Sequence, residues 1–137
     1  MPPDSALVAE TRAWLAKARE DLEATELLLG GGSPLPSQAA YHAQQAAEKA
    51  QKAFLTWHKQ IFTKTHDLGV LGAKCVAIDV TLGTVASSVA SVSSYAVEAR
   101  YPGPWDEPTV AEAQEAVKLA REMYDALIAR LPDEVKP

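Results

Sequence analysis

The sequence predicts an all-α fold: an antiparallel, up-and-down bundle of four to five helices in a single domain. Three observations predict it. Alanine is abundant while aromatic residues make up only 7% of the chain, and alanine is the strongest helix former whereas aromatics favour strands. Apolar residues recur at spacings of three and four along most of the chain, the period of a helix face. Stretches rich in glycine and proline interrupt these runs about once per helix length. The chain has 137 residues, enough for one core but not for two. The domain is expected to span residues 4–131, with 1–3 and 132–137 as loose ends.

The first segment runs from Asp4 to Leu29, with Trp14, Ala18, Leu22 and Leu29 at helical spacing. Gly30-Gly31-Gly32-Ser33-Pro34 ends it, because glycine leaves a helix cheaply and proline cannot continue one. This turn is no phosphate loop, since it lacks the Lys-Ser/Thr that must follow and a preceding strand. The second segment starts at Ser37 as N-cap and reaches Gln60. Its apolar stripe is Ala43, Ala47, Ala50, Phe54, Trp57 and Ile61. The small alanines of its first half admit a close neighbour. The third helix, capped by Thr65 or Asp67, runs to Ile78 with Val70, Leu71 and Val76 inward; Gly69 and Gly72 weaken it. The fourth, Thr81–Arg100, carries five serines and many valines, a strand-like composition. Yet Val85, Val89, Val92 and Ala96 keep the helical period and strict alternation fails, so it reads as a helix. Pro102, Gly103, Pro104 and Pro108 form a rigid loop. The fifth opens on the capping box Thr109-Val110-Ala111-Glu112. Its stripe is Val110, Ala113, Val117, Ala120, Tyr124, Leu127 and Leu131, and Pro132 stops it. Trp14, Trp57 and Tyr124 are core residues. Trp105 lies in the proline loop, where it covers an interface or a pocket.

Composition narrows the function classes. No run of about 18 or more apolar residues occurs, so no membrane span is expected. The N-terminal MPPDSALVAE lacks the basic start and apolar stretch of a secretory signal. The single cysteine, Cys75, has no partner for an internal disulfide and reads as a small buried apolar residue. A cytoplasmic location follows as an expectation. The net charge of −5 argues against bulk nucleic-acid binding. The charge is uneven, however. Between Tyr41 and His66, Lys49, Lys52, Lys59 and Lys64 face one acid, Glu48, and all three histidines fall there. Such an island suits an anionic ligand, although charge alone favours a solvated lysine face.

Three pieces then stand in order: Tyr41-His42-Ala43-Gln44-Gln45-Ala46-Ala47-Glu48-Lys49, Thr65-His66-Asp67-Leu68 and Ala99-Arg100-Tyr101-Pro102. They follow an opening Trp14-Leu15-Ala16-Lys17-Ala18-Arg19-Glu20-Asp21-Leu22. The ordered set, over Thr11 to Leu131, resembles the HEPN domain family of small prokaryotic helical proteins. The resemblance implies a homodimer and a small nucleotidyltransferase-type partner protein, often as a toxin–antitoxin pair. It also implies, for some members, nucleotide binding. A large branch of the family cleaves RNA through an Arg-x(4–6)-His motif. Here Arg100 is followed at those offsets by Trp105, Asp106 and Glu107, and no histidine lies beyond His66. Cleavage needs a histidine to move a proton and an arginine to stabilise the phosphorane-like charge. The arginine is present and its partner is not, so no catalytic residue is assigned.

The candidate ligand site follows. His42, Gln45, Lys49 and Lys52 are spaced three, four and three, forming a polar stripe beside the apolar one. Lysines suit phosphate; His42 and Gln45 suit a base or ribose. The structural alternative is an exposed face whose His42 and Gln45 bond a neighbouring helix. His66 and Asp67 either aim at the same pocket or serve as turn and cap. Arg100 and Tyr101 end a helix, where the dipole favours a cation; the alternative is an ion pair with Glu48 or Asp67. No cofactor and no metal are expected: Glu-x-x-His pairs and a nucleophile elbow are absent. The expected function is a nucleotide or phosphate-anion binding module acting with its partner and without catalysis of its own. The alternatives are a divergent metal-independent ribonuclease toxin, using Arg100 with His42 or His66, and a purely structural interaction module.

Overall fold

The structure, a computed structural model, describes residues 4–137; the end expected at 1–3 lies outside the described residues. It is all-α, with no strand among the described residues. Helix α1 spans Ser5–Gly30, α2 Pro36–Trp57 and α3 Leu68–Ile78. The fourth rod is broken: a 3-10 turn at Val80–Leu82, α4 at Gly83–Val89, a second 3-10 turn at Ala90–Val92, and α5 at Tyr95–Glu98. Helix α6 spans Val110–Ile128, and a last 3-10 turn covers Asp133–Val135.

Local chemistry sets most boundaries. Asp4 caps α1 by accepting from Ala6 N, and Asp67 caps α3 by accepting from Gly69 N and Val70 N. Thr109 and Glu112 form the expected capping box on α6. Ser37 is not the cap of α2. Pro36, with φ preset for a first turn, starts the helix two residues earlier and makes Leu35 the N-cap. The fourth rod breaks where serine and valine crowd together. Ser91 Oγ donates to the Ser88 carbonyl, so a side chain competes there with the helical ladder, while Ser93 Oγ accepts from Leu68 N at 2.7 Å and ties the rod to α3.

Helices α1 and α2 run antiparallel. Trp14 meets Phe62, Asp21 meets His42 and Lys49, and Leu28 O accepts from Leu35 N. Ala39 and Ala40 of α2 share a cluster with Ala113 of α6, so these two helices start at the same end. The loop after α2 brings the chain back to the level of Gln44, α3 runs alongside α2 to Asp79, which meets Arg130 beyond the end of α6, and the fourth rod makes the return. The main core joins Leu15, Leu22, Phe54, Leu71, Val89 and Leu127. Alanines at 43, 46, 47, 50 and 53 are fully buried and let the other helices close on α2.

Several inward assignments change. Ile61 is 91% exposed, because α2 ends at Trp57 and the stripe's period stops with it. Val70 and Val110 are exposed, each lying in the first turn of its helix. Trp14, Trp57 and Tyr124 pack against the core while staying half-buried. The tail after Pro132 is not loose: Val135 is buried, and the Arg12 and Arg19 side chains donate to the Glu134 and Pro137 carbonyls. In the proline loop, the Trp105 indole lies against Gly103, where any Cβ would collide with the ring.

Two outcomes follow from this packing. Helix α2 ends in a Schellman turn, Gln60 N bonding Leu55 O and Lys59 N bonding Thr56 O, with Lys59 at φ 56°. Lys59→Gly is expected to raise stability in urea unfolding by about 1 kcal/mol, since the left-handed conformation costs a side-chain-bearing residue that much. Burial pushes the Cys75 thiol up to about 12. The folded protein should therefore resist a thiol-reactive dye at pH 8 and react fully in denaturant.

Candidate functional site

The predicted polar stripe of α2 is turned inward, onto two buried carboxylates. Asp21, on α1, holds two residues seven apart on α2: Oδ1 accepts from His42 Nδ1 at 2.8 Å and Oδ2 from Lys49 Nζ at 2.7 Å. A carboxylate only accepts, so Nδ1 of His42 carries the proton and Nε2 is left facing outward from the pair. Glu48 does the same one turn along. Its Oε2 accepts from Lys52 Nζ at 3.0 Å, and its Oε1 from His66 Nδ1 at 2.6 Å and Gln44 Nε2 at 3.1 Å. Gln44 also donates to the His66 carbonyl, and Gln45 donates to Gln44 Oε1. The result is a hydrogen-bonded chain from Gln45 through Gln44 and Glu48 to Lys52 and His66.

Burial decides what each group is free to do. Lys52 is 7% exposed, with its ammonium 5.6 Å from the Trp14 ring centroid and 5.9 Å from that of Phe62. Glu48 and two aromatic faces thus enclose it, and the attraction of a cation to ring faces adds to the ion pair. Gln45 is buried and Lys49 half-buried. Two lysines are balanced by two acids, so this part of the basic island is internally neutralised. Lys59 and Lys64 remain exposed. Asp67 caps α3 and His66 is exposed beside it, held by Glu48.

Arg100 lies elsewhere, with neither Glu48 nor Asp67. Its guanidinium is 5.5 Å from the Tyr41 ring centroid and 5.2 Å from that of Tyr101, and it approaches the Tyr41 hydroxyl at 3.5 Å. It is exposed and has no carboxylate partner among the described residues. The Tyr41 ring also packs edge-on to the His42 imidazole, 5.4 Å between centroids. Tyr41 therefore joins the Arg100–Tyr101 pair to the His42–Asp21 pair. His66, at the other end of this face, is tied to Glu48. No group of three or more His, Cys, Asp or Glu side chains among the described residues could hold a metal ion.

Asp21, Gln44 and Tyr41 were missing from the sequence-predicted set. Asp21 had a signal: it sits three residues after Ala18 and four before Thr25, inside the stripe that α1 buries. An acid at an inward position calls for an internal cation.

This arrangement sits within a recognisable frame. A family model described as HEPN domain matches residues 11–131. The chain belongs to the HEPN family. This HEPN domain is similar to the crystal structure of TT1696 from Thermus thermophilus, with 29% identity and a TM-score of 0.72, covering 88% of this chain and 98% of that one. It also shares its fold with ST0689, an archaeal HEPN homologue, at 21% identity and a TM-score of 0.66, covering 88% and 96%. No curated protein sequence matches the chain.

The Glu48–Lys52 pair gives a direct test of the network. Glu48→Ala strands a buried ammonium and should cost about 3 kcal/mol, whereas Glu48→Leu with Lys52→Met should recover most of that loss. Urea unfolding of the two variants checks it; equal losses would mean the pair does not couple.

Proposed function

We propose that this HEPN domain protein binds a nucleotide or another phosphate anion, acts as a cytoplasmic homodimer with a small nucleotidyltransferase-type partner protein, in a toxin–antitoxin-like pair, and performs no catalysis of its own. One observation carries the ligand part. The Arg100 guanidinium lies near two tyrosine rings, exposed and without a carboxylate partner among the described residues. A planar cation placed in this way suits bidentate contact with phosphate. His42 lies on the other side of Tyr41 and presents Nε2. Lys49 and Lys52 contribute less, because Asp21 and Glu48 already occupy them. The 52%-exposed Tyr101 ring offers a stacking face for a base.

Calorimetric titration with ATP, GTP and inorganic phosphate tests this reading. Binding is expected to fall about tenfold or more in Arg100→Ala, the loss of one charge-assisted contact, and to change little in Lys52→Met. No saturable binding below the millimolar range would sink the ligand reading. For the partner, co-expression with a nucleotidyltransferase-type protein and co-purification of the two is the measurement.

The packing of Tyr41 against both Arg100 and His42 favours a second reading, a divergent ribonuclease toxin in which His42 replaces the missing motif histidine. It predicts growth arrest on induction, abolished by Arg100→Ala or His42→Ala. Unaltered growth at high expression would remove it.

A further inference from the structure

Gln51, on α2, is fully buried, yet neither its Nε2 nor its Oε1 has a hydrogen-bond partner among the described residues. Its neighbours Gln44 and Gln45, only two turns away, are both bonded. A buried carboxamide in this state costs the fold free energy. The amide lies behind the close contact of Gly72 with Ala86 and does not itself line the surface beyond it. A Cβ placed on Gly72 would come 3.4 Å from Gln51 Nε2 and 3.3 Å from the Ala86 Cβ. Gly72 and Ala86 in turn form part of the wall of a groove of about 440 Å³ between α3 and α4. Gly69, Ala73, Val76, Gly83, Ser87 and Ala90 line the rest of it; Ser87 brings the one polar side chain, and none is charged.

We infer that this groove receives an uncharged, planar ligand whose edge carries a hydrogen-bond donor beside an acceptor, and that Gln51 reads that edge. A carboxamide presents one donor and one acceptor side by side, so its complement is an amide-type edge, as on a primary carboxamide or a nucleobase. The apolar, small-residue walls fit the faces of a ring, and the volume is that of a small-molecule site. No lining cation is available to a phosphate, and Arg100 does not line the groove, so this site is separate from Arg100 and does not depend on the reading proposed for it. Contact with the amide requires α4 to part from Gly72. That helix is only seven residues long and lies between two 3-10 turns, so few backbone hydrogen bonds oppose its local displacement.

The test is titration of the isotope-labelled full chain by NMR with nicotinamide and with uracil, using nicotinate as the charged control. Saturable shifts of the Gly72 and Ala86 amides are expected with one or both neutral probes and not with nicotinate. Gln51→Leu, and independently the unbranched Gln51→Met, should weaken binding about tenfold or more while raising the melting temperature by a few degrees, because two unpartnered polar atoms are gone. The inference is overturned by the absence of saturable shifts at Gly72 and Ala86 with both neutral probes, or by undiminished binding in both variants. A lower melting temperature in both variants also overturns it, since Gln51 would then be satisfied by trapped water in the free protein.

Discussion

From Ala43 to Thr56 every residue of α2 except Lys49 is buried, and the rest of the structure depends on that enclosure. A surface helix has one wet face where polar side chains need no partner. Helix α2 is surrounded by α1, α3, the fourth rod and α6, so each polar group on it must be answered from a neighbour or stand at a cost. Asp21 answers His42 and Lys49. Glu48, from α2 itself, answers Lys52 and His66. The glutamines at 44 and 45 complete the chain, while Gln51 stands apart. Much of what looks like a ligand-facing stripe is the internal wiring of a central helix.

The same enclosure explains how far the sequence could be read. The alanine, leucine and valine periodicities located every rod, because burial selects apolar residues at three- and four-residue spacing wherever a helix has one inner face. The α6 capping box and the Asp67 cap were legible because their chemistry is local. Ser37 misled: a serine at a helix start is a good cap in isolation, but the neighbouring Pro36 had already fixed the turn. Ile61 misled because a spacing rule continues on paper past the residue where the backbone leaves the helix. Val135 was invisible, since a single apolar residue after a proline has no period.

For the candidate site the limit is of another kind. Spacing places His42, Gln45, Lys49 and Lys52 along one stripe of α2, and that is correct. It cannot say what stands opposite, and Asp21 is 28 residues away from Lys49 in the chain. Arg100 shows the converse. Nothing local pairs it with Tyr41, yet the fold brings the start of α2 and the end of α5 together and leaves the guanidinium near two rings. A cation flanked by aromatic rings and without a carboxylate partner among the described residues thus lies outside the central helix.

The alanines of α2 have a consequence beyond packing. With side chains this small, the separation between α2 and its neighbours is set by backbone contact, leaving almost no slack. Ion pairs of 2.7 to 3.0 Å are formed across or along that same close-fitting helix. A methyl group added at Ala46 or Ala47 would therefore act as a shim, pushing whole helices apart and lengthening charge contacts it never touches. In this domain, electrostatic order is a mechanical tolerance, held by the smallest side chains it has.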